Sequence, residues 1–174
     1  FDVLNVMLPR RYHRAWQGNA WERRAAALAT GLLPSADTLD YDQLVAKPPG
    51  RPGAVFHWHQ DLAYWPPTPS PETVTLWLAL DDTDEANGCL RFVPESHRER
   101  ILRPHLPLGG DRDDSHTLVA QVDPAEDRVV SAPIARGDAL AFRERVLHGS
   151  GGNASGRWRR AYVLAFRSAE TVGA

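Results

Sequence analysis

The rhythm of apolar and polar positions changes once along this chain. Over residues 21–33 it is helical: Glu22, Arg23 and Arg24 lead into Ala25-Ala26-Ala27-Leu28-Ala29, Asn19 stands as a candidate cap, and Pro34-Ser35 closes the segment. From Gln43 onward the period is two. Residues 72–80 set Val74, Leu76, Leu78 and Leu80 on one face and Thr73, Thr75, Trp77 and Ala79 on the other. Residues 157–168 set Trp158, Arg160, Tyr162, Leu164 and Phe166 against Arg159, Ala161, Val163 and Ala165. Shorter runs of the same kind cover 43–47, 54–60, 89–93, 128–134 and 139–143, separated by turn residues such as Pro48-Pro49-Gly50, Asn87-Gly88 and Arg136-Gly137-Asp138. Residues 1–19 show no clear period and are expected to be irregular or partly helical. The stretch from Pro94 to Leu118 reads as polar connection, with 109–115 a surface loop suited to act as a lid. One helix followed by about eight short strands predicts a mainly β fold, and a jelly roll suits the count because its two sheets enclose a pocket.

Bulk properties narrow the picture. A chain of 174 residues supports one domain with a real core and is short for two. It opens at Phe1 without an initiating Met and is apolar at once, so an N-terminal part of the parent protein is expected to be missing. A net charge of -2 gives no reason to expect nucleic acid or an anionic membrane as partner. The one cysteine, Cys89, sits in an apolar run and reads as a small buried hydrophobe. No apolar run reaches transmembrane length and no secretory leader opens the chain, which makes the cytoplasm the default compartment.

The densest chemistry lies in Phe56-His57-Trp58-His59-Gln60-Asp61-Leu62. On a strand, His59 and Asp61 share a face, with Cα atoms about 7 Å apart. An imidazole and a carboxylate in that aromatic setting suit a metal better than a lone buried acid, which would be costly unpaired. Two His and one carboxylate is the donor set of non-heme Fe(II) oxygenases. His13, His97, His105, His116 and His148 compete to be the third ligand. His148 is preferred because it alone follows a strand and precedes a Gly-rich turn, Gly149-Ser150-Gly151-Gly152. His57 is in register with His59 and serves equally as a plain strand residue or as a group facing the substrate. Arg159 follows His148 at a hairpin's distance; turned inward, its fork needs an anion and suits a carboxylate, to which Ser150 could add a hydroxyl. Turned outward, it is a surface residue beside Arg157 and Arg160.

Four segments in order carry a resemblance to the phytanoyl-CoA dioxygenase family: Gln43-Leu44-Val45-Ala46-Lys47-Pro48-Pro49; His59-Gln60-Asp61-Leu62 with Tyr64 and Pro66; Asn87-Gly88-Cys89-Leu90 with Pro94, Ser96 and His97; and His148-Gly149-Ser150-Gly151 with Arg159. The resemblance implies a double-stranded β-helix (jelly roll), Fe(II) held by His59, Asp61 and His148, and 2-oxoglutarate and O2 as cosubstrates. It further implies that Arg159 and Ser150 hold the distal 2-oxoglutarate carboxylate, with Trp77 and Gln43 also in contact. Relatives that halogenate replace the acidic ligand by a small residue, so Asp61 favours hydroxylation or a related oxidation of a small molecule. His57, Tyr64, Trp65 and residues 109–116 are the expected substrate contacts. Two rival readings are a cupin-like Zn2+ hydrolase or isomerase, whose catalytic zinc would accept the same three ligands, and a jelly roll that binds its ligand without turnover.

Overall fold

The period-two segments pair into antiparallel sheets. In chain order the strands are β1 (Leu4–Met7), β2 (Thr38–Lys47), β3 (Phe56–His59), β4 (Val74–Ala79), β5 (Leu90–Phe92), β6 (His105–Pro107), β7 (Leu118–Ala120), β8 (Val130–Ala132), β9 (Ala139–Arg143), β10 (His148–Ser150) and β11 (Arg159–Arg167). The helices are α1 (Pro9–Tyr12), α2 (Ala20–Leu32) and α3 (Ala169–Val172). The computed structural model describes residues 2–111, 113 and 115–172. A larger sheet runs β1-β2-β11-β4-β9 and a smaller one β3-β10-β5-β8, while β6 and β7 form a separate hairpin. Two such sheets facing each other across a cavity make the jelly roll that the sequence predicts.

Alternation decides which side chains meet which layer. On one face of the larger sheet, Val74, Leu76, Tyr162, Leu164 and Phe166 pack against Ala25 and Ala29 of α2. The alanines let the helix lie close, and each large side chain buried there contributes roughly 1.5–3 kcal/mol. The Asn19 side chain accepts from the Glu22 amide at 2.9 Å, so the expected cap is made, and the Glu22 carboxylate accepts from the amide of the preceding Gly18 at 2.7 Å. On the other face, Val45, Trp77, Ala79, Phe142 and Ala161 look toward the smaller sheet and meet Leu90.

Three expectations need correcting. The strand read at 43–47 begins at Thr38, because β2 pairs along its length with β11, from Lys47↔Arg159 to Thr38↔Arg167. Residues 1–19 include an exposed edge strand, β1, whose four residues pair with β2 though they lack a period-two pattern. The polar stretch from Pro94 to Leu118 holds β6, and the hairpin is completed by β7. Three-residue strands carry too few alternations to register in sequence. Among the described residues, no helix is long and apolar enough to cross a membrane.

Candidate active site

β3 and β10 lie side by side with His59 opposite His148. Register therefore brings the two imidazoles together, with ring centroids 4.3 Å apart. Asp61 joins them: its Oδ1 lies 3.4 Å from His59 Nε2 and 3.6 Å from His148 Nε2. One ligand atom from each of the three residues falls within 4.8 Å of the others, a spacing that could hold one metal ion. The carboxylate does not sit beside His59 on a strand, as the reading of 56–62 as extended would place it. β3 stops at His59, and Asp61 opens a single 3-10 turn, Asp61–Ala63. The cause is Gln60, fully buried and pinned on three sides. Its Nε2 donates to the Arg145 carbonyl (2.7 Å), its Oε1 accepts from the Arg103 amide (3.0 Å), and its own amide donates to His105 Nε2 (3.0 Å).

The groups behind the triad aim its donor atoms. His59 Nδ1 sits 2.7 Å from the His57 carbonyl, and His148 Nδ1 2.9 Å from that of Val146. A carbonyl oxygen only accepts, so each Nδ1 donates and each Nε2 is the ring atom turned to the shared point, where a metal would take its lone pair. Thr75 Oγ1 donates to Asp61 Oδ2 at 3.0 Å, leaving Oδ1 to face the imidazoles. Burial, helped by His59, pushes the His148 pKa down to about 4, which keeps it neutral and ready to ligate. For His59, burial opposes charge, but the hydrogen bond and charge of Asp61 outweigh it and the pKa rises. For Asp61, burial raises the pKa, and His148, His59 and Thr75 together bring it below the usual range.

A second charged group lies deeper. Arg159 and Lys47, cross-strand partners on β11 and β2, are 1% and 0% exposed. Both reach Ser150 on β10: Lys47 Nζ stands 2.6 Å from Ser150 Oγ, and Arg159 Nη2 donates to it at 3.2 Å. Lys47 also meets the Gly151 carbonyl. The Arg159 guanidinium is walled by Trp77 and Phe56, at 5.4 and 5.9 Å, and its Nε is buried without a partner among the described residues. Burial lowers the Arg159 pKa to about 10; burial, then Arg159 and Arg91, lower that of Lys47 to about 6. Neither cation has an acidic partner among the described residues. Arg159, a buried guanidinium without a counter-ion and open to the cavity, forms with the Ser150 hydroxyl a seat for an anion. Arg159, Ser150, His59, Asp61 and His148 all line one cavity of about 830 Å³ between the sheets.

The sequence profile described as phytanoyl-CoA dioxygenase (PhyH) matches residues 8–161. The chain belongs to the phytanoyl-CoA dioxygenase family. Peroxisomal phytanoyl-CoA dioxygenase of Mus musculus is 34% identical over 134 residues, covering 75% of this chain and 39% of that protein. A probable alpha-ketoglutarate-dependent hypophosphite dioxygenase of Stutzerimonas stutzeri is 32% identical over 129 residues, covering 71% of this chain and 43% of that one. The chain thus spans about two fifths of the length of these relatives. Among solved structures, EvdO2 from Micromonospora carbonacea var. aurantiaca complexed with 2-oxoglutarate superposes with a TM-score of 0.84 at 33% identity, covering 96% of this chain and 67% of that one.

Within this phytanoyl-CoA dioxygenase-family fold, the other predicted residues divide. Trp77 is buried against Arg159 and lines the cavity. Gln43 lines it too, with its amide Nε2 bonded to Asn5 Oδ1 of β1 at 2.6 Å. His57, Tyr64, Trp65 and His116 reach the cavity wall. Tyr64 also props the β6–β7 hairpin: its hydroxyl donates to the Leu118 carbonyl (3.1 Å) and accepts from the Leu118 amide (2.8 Å), while its ring meets His59 edge-on. Arg112 and Asp114, part of the expected lid, lie outside the described residues. His13 and His97 are exposed, and His105 anchors the hairpin as the acceptor for Gln60. Sequence reasoning assigned no role to Lys47 or Thr75. The signal for both was alternation, which sets Lys47 on the face of Gln43 and Val45, and Thr75 on that of Trp77.

Proposed function

We propose that this chain is the catalytic portion of an Fe(II)- and 2-oxoglutarate-dependent dioxygenase that hydroxylates, or otherwise oxidises, an unactivated C–H bond of a small organic molecule. The observation that carries the reading is the pairing of two sites in one cavity: a three-ligand cluster of two imidazoles and a carboxylate, and an anion seat built on the otherwise unpaired, buried Arg159 guanidinium. His59, Asp61 and His148 would hold a metal through three ligand atoms, the donor set of a non-heme iron site that keeps positions free for cosubstrates. Fe(II) with 2-oxoglutarate and O2 supplies the oxidising power, 2-oxoglutarate leaving as succinate and CO2.

The protein's own residues provide placement. Imidazole tautomers fixed by backbone carbonyls, and a carboxylate fixed by Thr75, hold the ligand atoms in advance. The Arg159 fork and the Ser150 hydroxyl take the far carboxylate of the dicarboxylic acid, with Trp77 and Gln43 lining the space between. The structure of EvdO2 with 2-oxoglutarate and the S. stutzeri relative named for alpha-ketoglutarate support 2-oxoglutarate as the cosubstrate. A cavity of about 830 Å³ lies in the range of sites for drug-sized molecules, leaving room for a second organic molecule beside the keto acid. A zinc hydrolase would use the triad but give Arg159 no partner.

The test is turnover without a known substrate: Fe(II)-loaded protein, 2-oxoglutarate and O2, with succinate as the readout. Slow succinate release is expected, and Asp61→Ala should abolish it. Release unaffected by Asp61→Ala would remove the proposed ligand role.

A further inference from the structure

Lys47 is buried, cationic by nature and unused by the chemistry so far. It does not line the cavity; it stands behind Ser150, which does. The titratable and charged groups facing it are Arg159 on β11, Arg91 on β5 and the Cys89 thiol just before β5. Among the described residues, no carboxylate comes within ion-pair reach of it. Gly88 shows how tightly the Lys47 nitrogen is held: with φ at +81°, a Cβ there would lie 2.4 Å from the Gly151 carbonyl and 3.1 Å from Lys47 Nζ.

A hydroxyl oxygen has two lone pairs and one hydrogen. Ser150 Oγ already accepts from Arg159 Nη2. If Lys47 is an ammonium, it fills the second lone pair while also donating to the Gly151 carbonyl. The one Ser150 hydrogen must then point into the cavity, at whatever anion Arg159 holds. If Lys47 is a neutral amine, the direction reverses: the Ser150 hydroxyl donates to Nζ, and the cavity loses a donor as well as a charge. Two cations crowded on one hydroxyl with no anion favour the neutral state, in keeping with the low pKa of Lys47. A bound carboxylate favours the charged one.

Resting on the dioxygenase reading above, we propose that Lys47 is a positioning residue for the 2-oxo acid: it takes up a proton when the distal carboxylate arrives and thereby turns the Ser150 hydroxyl toward that carboxylate. Proton and dicarboxylate bind together, so affinity for 2-oxoglutarate falls as pH rises, by up to about tenfold per unit where uptake is complete.

The experiment is calorimetric titration of the Mn(II)-loaded protein with 2-oxoglutarate near pH 7.5, in two buffers of different ionisation enthalpy. Wild type and Lys47→Met are compared, with Lys47→Gln as a second variant and a melting curve for each. His57 and His116 also line the cavity, so the readout is the difference between wild type and variant. Wild type should take up close to one proton more per ligand than either variant and bind at least about tenfold more tightly. Pyruvate, which lacks the distal carboxylate, should show no such difference. Equal uptake in wild type and folded variants, or the same excess with pyruvate, overturns the role of Lys47 while leaving the dioxygenase reading intact. Failure of 2-oxoglutarate to bind the wild type removes both.

Discussion

Thr75→Val isolates the one hydrogen bond that aims the proposed acidic ligand. Thr75 is 3% exposed, and its hydroxyl donates to Asp61 Oδ2 at 3.0 Å, so no water replaces it easily. Valine keeps the shape and removes the donor. A hydrogen bond to a charged group is worth about 1.5–3 kcal/mol, and removing one partner leaves the buried carboxylate oxygen unsatisfied. With Oδ2 released, Oδ1 no longer faces the imidazoles by default, and the loss falls on metal binding. At about 1.4 kcal/mol per factor of ten, the Kd for a divalent metal should rise roughly 10- to 100-fold. The assay is calorimetric titration with Co(II) or Mn(II), beside a melting curve that checks the fold. Thr75→Ser, which restores the hydroxyl, should recover most of the affinity. A folded Thr75→Val protein that binds metal as tightly as wild type would refute the claim that Thr75 positions Asp61.

Other consequences follow from the same structure. Leu164 is fully buried between the larger sheet and α2, so Leu164→Ala should cost about 2–5 kcal/mol, read as a lower midpoint in denaturant with an unchanged slope. Gly88→Ala places a methyl against two backbone carbonyls at a positive φ; it should lower the melting temperature and weaken 2-oxoglutarate binding by disturbing Gly151 and Lys47. Lys47 has a folded pKa of about 6 against a model-peptide value of 10.5. The unfolded chain therefore binds more protons between those limits, and ligand-free protein should gain stability as pH rises from 6 toward 9. Thermal melts across that range should show the gain, and Lys47→Met should flatten it.

Much of this site is legible in the linear chain because alternation assigns faces. The opposition of Trp77 and Ala79 to Val74 and Leu76, and of Arg159 and Ala161 to Tyr162 and Leu164, appears in the structure as cavity face against helix face. His59 and His148 could be paired only by supposing that their strands adjoin, which they do. Asp61 reaches them by a different path from the one its spacing suggested. Its turn is set by Gln60, whose partners Arg103, His105 and Arg145 lie more than 40 residues away. Lys47 was hidden for a plainer reason. A lysine before Pro48-Pro49 reads as a solvated strand end, and only pairing with Arg159 beneath Ser150 buries it. β6 and β7 are too short to show a period, and are held by contacts from Gln60 and Tyr64 that no local pattern encodes.

The central claim is that one cavity joins a metal triad to a carboxylate seat, so that a 2-oxo dicarboxylic acid needs both. Direct binding of 2-oxoglutarate, with and without Mn(II), to wild type, His148→Ala and Arg159→Met tests it. The account predicts tight binding only to metal-loaded wild type, loss of metal and ligand together in His148→Ala, and retained metal with weakened 2-oxoglutarate in Arg159→Met. Equal binding of 2-oxoglutarate with and without metal, or to Arg159→Met as to wild type, would contradict it.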